Sequence, residues 1–236
     1  MRKLCSSLII VIAAAVPYVR CAAQSCKTKV PVICSQAAYM DTIKRDPRKQ
    51  LVPLQKVILG LKLDLVYGTT RNFTGTVLYR EPVAYMLSEP AYALKKVDSE
   101  LRRRGLALKI YDAFRPFSVT CRIWQLVPDR RYAANPAKGS NHNRGLAADL
   151  TIVNLRTGTE LDMGTGFDNF SDTAHHAYLQ LPQQVLDNRK LLKRLMWKYG
   201  FNPVPTEWWH YQWRTKEAYP VIDLDFDVLK GLIGAY

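Results

Sequence analysis

His142 and Asp149 stand seven residues apart in SNHNRGLAADL (140–150), in a chain with only four histidines. Both side chains are good ligands for a divalent metal. The segment that joins them divides in two. NRG (143–145) carries turn residues, with Gly145 free to adopt positive φ. GLAADLTIV (145–153) reads as a strand: Leu146, Ala148, Leu150 and Ile152 share one apolar face, and Asp149 shares the other with Ala147 and Thr151. An odd offset aims His142 away from Asp149 on a straight strand, so the turn has to bring it back. The stretch presents a ligand, a turn and a second ligand on a rigid strand.

Two ligands need a third. His210 in TEWWHY is the best choice, on an alternating stretch, EWWHYQW (207–213), whose aromatics would fix its ring. Two histidines and a carboxylate leave a fourth tetrahedral position on zinc for water. A second carboxylate beside it can take that water's proton, and Glu207 is the natural one. No two histidines are four apart, so this is not the helical HExxH arrangement. Each residue also has a plain reading. A buried histidine is commonly a hydrogen-bonded core residue, and an aspartate commonly ends a strand. His175 and His176 compete as ligands, but adjacent side chains diverge and SDTAHHAY reads as a polar loop or helix start, which favours a structural role.

The surrounding elements must position these groups. Helices are expected over Pro90–Arg104, with Ser88 as N-cap, Gly105 as stop and Tyr92, Val97 and Leu101 as its apolar stripe, over 118–127, and over 183–199 ahead of Gly200. LALKIYDAF (106–114) reads as a strand broken by Pro116, and LVYGTTRNFTG (65–75) as strand then loop. Residues 24–50 are polar and aperiodic, which predicts an extended arm over the surface, ahead of a single domain at 51–236. The fold class expected is α+β, with a central, mostly antiparallel sheet flanked by helices.

The 236 residues, 48% of them hydrophobic, suit one sizeable core. The formal charge of +14 draws the chain to anionic partners, an anionic cell wall among them. There is neither a nucleic-acid motif nor a basic stripe, so no nucleic-acid partner is expected. MRKLCSSLIIVIAAAVPYVRCAA (1–23) pairs a basic start with an apolar run too short to span a bilayer and a small-residue ending. It reads as a secretory signal, which makes the mature chain exported, periplasmic or extracellular, with no transmembrane span. Loss of Arg2, Lys3 and Arg20 would leave a net +11. Of the remaining cysteines, Cys26 and Cys34 are expected to pair in an oxidising space and Cys121 to be a buried thiol.

Together YGTTRNFTG, YDAFRP, SNHNRGLAADLTI, GTGFDNFSDTAHHA and EWWHY resemble, in that order along the chain, the VanX-type D-alanyl-D-alanine dipeptidases. The likeness covers roughly residues 53–225. It implies the small α+β fold shared by D,D-peptidases and the hedgehog signalling domain. It also implies one Zn2+ held by His142, Asp149 and His210, with Glu207 as general base. Arg115 is implied as the cation that stabilises the oxyanion; at a strand end before a proline break it is well placed to face a cleft, although an ordinary ion pair with Asp112 would also suit it. Tyr67, Ser140 and Asp168 are implied as substrate contacts, Asp168 toward the ammonium of a small D,D-dipeptide. Asn141 departs from the family's usual small polar residue. A D,D-carboxypeptidase acting on longer wall peptides and a zinc-containing binding module without catalysis stand as rivals.

Overall fold

The alternating and apolar runs build a five-stranded mixed sheet in a computed structural model that describes residues 26, 28–80, 82–127 and 129–233. The secretory signal expected at 1–23 lies outside the described residues. The sheet runs in the order β3 (Lys62–Leu63), β5 (Leu106–Asp112), β6 (Ala147–Asn154), β8 (Glu207–Trp213) and β7 (Phe201–Val204). β3 is parallel to β5 and the other three pairings are antiparallel. The α+β expectation therefore holds, with one parallel edge in the sheet. β2 (Leu51–Pro53) and β4 (Tyr85–Leu87) pair separately, and β1 (Val32–Ile33) pairs with β9 (Val221–Ile222).

α3 (Ser88–Arg102) and α5 (Gln183–Lys198) share one apolar cluster with the sheet. α3 buries Ala91, Leu94, Val97 and Leu101, the spacing of one helical face, while α5 buries Val185, Leu192, Leu195 and Met196. Tyr92, expected on the apolar stripe, is 56% exposed because it lies off that face. Ser88 is the first helical residue and not the cap; Leu87 occupies that position without a capping side chain. Gly105 adopts φ 71° at the helix exit. A second cluster gathers Tyr39, Tyr67, Tyr79, Phe114 and Phe226 with α4 (Phe117–Leu126), whose Val119 and Ile123 point into it. Among the described residues no helix is long and apolar enough to cross a membrane.

Two expectations fail at the N-terminal side. Residues 36–45 are a helix, α1 (Gln36–Arg45), not an extended arm. Ser35 caps it by accepting from Ala38 N, and Tyr39 is fully buried with its hydroxyl accepting from Leu51 N at 2.9 Å. One buried aromatic is too little periodicity to read, yet it anchors the segment. The disulfide joins Cys26 to Cys121, and Cys34 lies outside it. Cys121 sits on the face of α4 that packs with Val221 of β9, and Cys26 packs on the same cluster, with β1 paired beside β9. A pairing across 95 residues depends on those long-range contacts and leaves no local signal.

Candidate metal and catalytic centre

The register of three neighbouring strands sets out the site. Asp112 on β5 pairs with Asp149 on β6, and Asp149 pairs with His210 on β8, so the three lie in one row across the sheet. Residues directly opposite one another in antiparallel strands share a face. His142 arrives by the turn expected of it. Residues 142–144 form one 3-10 turn that ends on Gly145 at φ 67°. A side chain at Gly145 would meet Leu51 Cδ2 at 2.4 Å, so both the backbone angle and the close approach require glycine. His142 Nδ1 is 2.6 Å from the Ala113 carbonyl; donating its proton there turns an unprotonated Nε2 toward the row.

Glu207 lies three residues before His210, an odd offset that a regular strand would place on the opposite face. The pairing of β7 with β8 slips here: Pro203 faces Tyr211, but Val204 faces Glu207. That irregularity returns Glu207 to the His210 side, with Oε2 3.4 Å from His210 Nδ1.

His142 Nε2 is 3.4 Å from Asp149 Oδ2, His210 Nδ1 is 3.0 Å from Asp149 Oδ1, and the two ring nitrogens are 3.3 Å apart. Zinc bonds of about 2.0–2.1 Å in a tetrahedron set ligand atoms about 3.3 Å apart. Asp149 Oδ1 is buried without a hydrogen-bond donor, which leaves it available as a ligand. The donor set and its spacing fit zinc. Burial opposes the charge of Asp149, but the two imidazoles hold its carboxyl well below the usual carboxylate range. Burial pushes Glu207 up to about 7 against the pull of His210, a value suited to taking up a proton near neutrality.

All eight residues singled out in the sequence line one cavity of about 330 Å³. Arg115, 7% exposed, carries both readings offered for it. Nε and Nη2 bind Asp112 Oδ2 at 2.9 and 2.6 Å, and the guanidinium also faces the cavity, 5.0 Å from the Tyr67 ring and 3.7 Å from Asp149. Burial opposes its charge, yet Asp112 outweighs burial and keeps it charged. Tyr67 lies on a 3-10 turn, Val66–Gly68, not on the expected strand, and its hydroxyl donates to Asp168 at 2.9–3.1 Å. Asp168 is, among the described residues, the sole non-glycine with positive φ, at 58°. Burial, then the nearby Asp149 charge, push it up to about 8. Ser140 Oγ accepts from the His142 backbone at 3.2 Å.

The competing histidines stay out of the cluster. His175 Nε2 is 2.8 Å from the Tyr132 hydroxyl, and burial lowers His176 to about 4. Asn143 escaped sequence reading inside its turn motif. It is fully buried, donates to the Arg115 carbonyl and to Thr120, and accepts from Ser140 N, which locks the His142 turn onto the Arg115 segment. Tyr79 was missed too; its hydroxyl donates to Asp112 Oδ1 at 2.6 Å and shares that carboxylate with Arg115. Neither has a spacing signal, because each acts through tertiary contacts.

The family profile described as D-ala-D-ala dipeptidase, Peptidase_M15, matches residues 47–228. The D-alanyl-D-alanine dipeptidase of Escherichia coli (strain K12) is 35% identical, over 73% of this chain and 89% of that protein. The enzymes of the same name from Enterococcus faecium and Enterococcus faecalis (strain ATCC 700802 / V583) are 31% and 30% identical, each over 74% of this chain and 96% of its own length. With the matched profile spanning most of its length, the chain belongs to Peptidase_M15, the D-Ala-D-Ala dipeptidase family of metallopeptidases.

Proposed function

We propose that this enzyme hydrolyses free D-Ala-D-Ala with one zinc ion, as an exported protein engaged in turnover of cell-wall peptides. The observation that carries the reading is the convergence of three metal-ligand atoms, a second carboxylate 3.4 Å from one of them and a buried guanidinium on one cavity. His142, Asp149 and His210 would hold the zinc, which when bound supplies Lewis acidity and lowers the pKa of a water molecule. Glu207 Oε2 accepts the proton of the attacking water and returns it to the leaving amine. Arg115, oriented by Asp112, donates to the oxygen that gains charge as the carbonyl is attacked. Asp168 is a buried carboxylate supported by the Tyr67 hydroxyl. A substrate ammonium supplies the cation that would make its charged form favourable there. Ser140 lies at the cavity wall for a further polar contact with the dipeptide.

Export is supported by the Cys26–Cys121 disulfide, since such bonds persist in oxidising compartments. The basic surface suits residence beside an anionic wall. Purified mature protein assayed on D-Ala-D-Ala and on a wall pentapeptide, with and without chelator, tests the proposal. The expected result is chelator-sensitive cleavage of the dipeptide and little action on the pentapeptide. Preference for the pentapeptide would make the protein a D,D-carboxypeptidase, and zinc uptake without cleavage of either would make it a binding module. Sequencing the N-terminus of protein from the native host's envelope tests export: a start near Gln24 is expected, and an intact Met1 on soluble cytoplasmic protein overturns it.

A further inference from the structure

His210 turns Nδ1 toward Asp149 and Glu207, so its other nitrogen, Nε2, faces away from the metal ligands. Two side-chain amides wait there in series. Gln212 Nε2 is 3.0 Å from His210 Nε2, and Gln212 Oε1 accepts from Asn141 Nδ2 at 2.8 Å. Gln212 lies two residues along β8, on the same face as His210. Asn141 immediately precedes His142, so the series joins the two segments that carry the histidines.

A neutral imidazole that offers Nδ1 to a metal carries its proton on Nε2. That N–H needs an acceptor, and an amide nitrogen is not one. Rotating the Gln212 amide by a half-turn brings Oε1 to the ring, and the same rotation of Asn141 lets it accept from Gln212 Nε2. Both hydrogen bonds survive with their direction reversed. We infer that Gln212, backed by Asn141, is a positioning residue that accepts from His210 Nε2–H and so holds the ring in the tautomer that ligates through Nδ1. The inference rests on the proposed zinc site. It also gives a role to Asn141, which immediately precedes the proposed ligand His142.

Zinc affinity, read by competition with a chromophoric chelator, tests this without reference to turnover. Loss of such a partner to a metal-bound histidine typically weakens binding about 10–100-fold. Gln212→Leu is expected to lose affinity in that range. Gln212→Glu should stay within a few-fold of the parent, because a carboxylate accepts from His210 Nε2–H and from Asn141 Nδ2 with no rotation. Asn141→Ala, a smaller perturbation that serves if Gln212→Leu folds poorly, should weaken binding several-fold. Parent-like affinity in Gln212→Leu, or equal losses in the Leu and Glu variants, overturns the relay. A parent that takes up no zinc overturns the metal site itself, a separate outcome.

Discussion

Asp149 and His210 stand on adjacent strands in direct register, whereas Tyr67, Ser140 and Asp168 stand on turns and loops that belong to no sheet. The first half of the cleft is held by backbone pairing and the two flanking cores. The second is held by side chains: Tyr67 on Asp168, Asn143 on Ser140 and Arg115, and Asp112 on Arg115 and Tyr79. The proposed metal ligands tolerate little displacement, and two of the three use the stiffer scaffold, while His142 comes from the turn that Asn143 locks. The proposed substrate contacts tolerate more, and use segments that belong to no sheet.

If the halves are separable in this way, changes to the proposed ligands, Asp149 and His210 on strands and His142 on its turn, should remove metal, and changes to Tyr67, Ser140 or Asp168 should not. The largest effect is expected from His210→Ala, or from His142→Ala: zinc content by elemental analysis should fall close to zero and activity with it. Full zinc occupancy in either variant would break the assignment. Glu207→Gln sits on the strand side but is no ligand, so zinc should remain while kcat falls about 10²–10⁴-fold, the usual cost of a lost general base. A near-normal kcat would mean that another group takes the proton.

Arg115→Lys keeps the charge but loses the planar fork that Asp112 grips. A kcat loss below the about 10²–10³-fold of a deleted oxyanion donor is expected, with zinc and KM little changed. A large KM effect at normal kcat would make Arg115 a ground-state clamp. On the loop side, N-acetyl-D-Ala-D-Ala lacks the ammonium and should be cleaved at least about tenfold more slowly than the free dipeptide, the factor that 1.4 kcal/mol represents. Asp168→Ala should shrink that preference and leave zinc in place; loss of zinc would show that the halves are coupled.

The smallest effect concerns stability. Asp168 is pushed up to about 8 in the folded enzyme, so the fold favours its neutral form. The stabilising contribution is fully present below the unfolded value of about 3.9 and is lost as pH rises toward 8. Asp168→Asn removes that penalty. In substrate-free enzyme its Tm relative to the parent should rise between pH 4 and pH 8, by about 2–4 °C for each kcal/mol recovered. A difference that does not change with pH would mean that Asp168 already has its cation.

Much of the metal half was legible in the sequence, because Asp149 and His210 sit in periodic stretches whose faces can be counted and His142 precedes turn residues, NRG, that can bring it back. Glu207 was legible as a carboxylate near His210, but not the slipped pairing at Pro203 and Val204 that rotates it into place. The loop half was legible only through the family likeness. Tyr67 is on a turn where alternation suggested a strand, and nothing local marks Asp168 for a left-handed backbone. The arm and its disulfide were misread for a related reason: Tyr39 and Cys121 find their partners through contacts remote in sequence.

The row of Asp112, Asp149 and His210 also bears on which changes of chain length the enzyme can survive. Inserting or deleting a single residue within β6 shifts every later side chain to the opposite face, so Asp149 would be traded for Ala148 or Leu150 even though no functional residue had been substituted. The surface turn at Thr157 and Gly158 carries no such constraint. Descendants of this gene should therefore record their insertions and deletions in the loops, while the spacing within each of the three central strands stays constant.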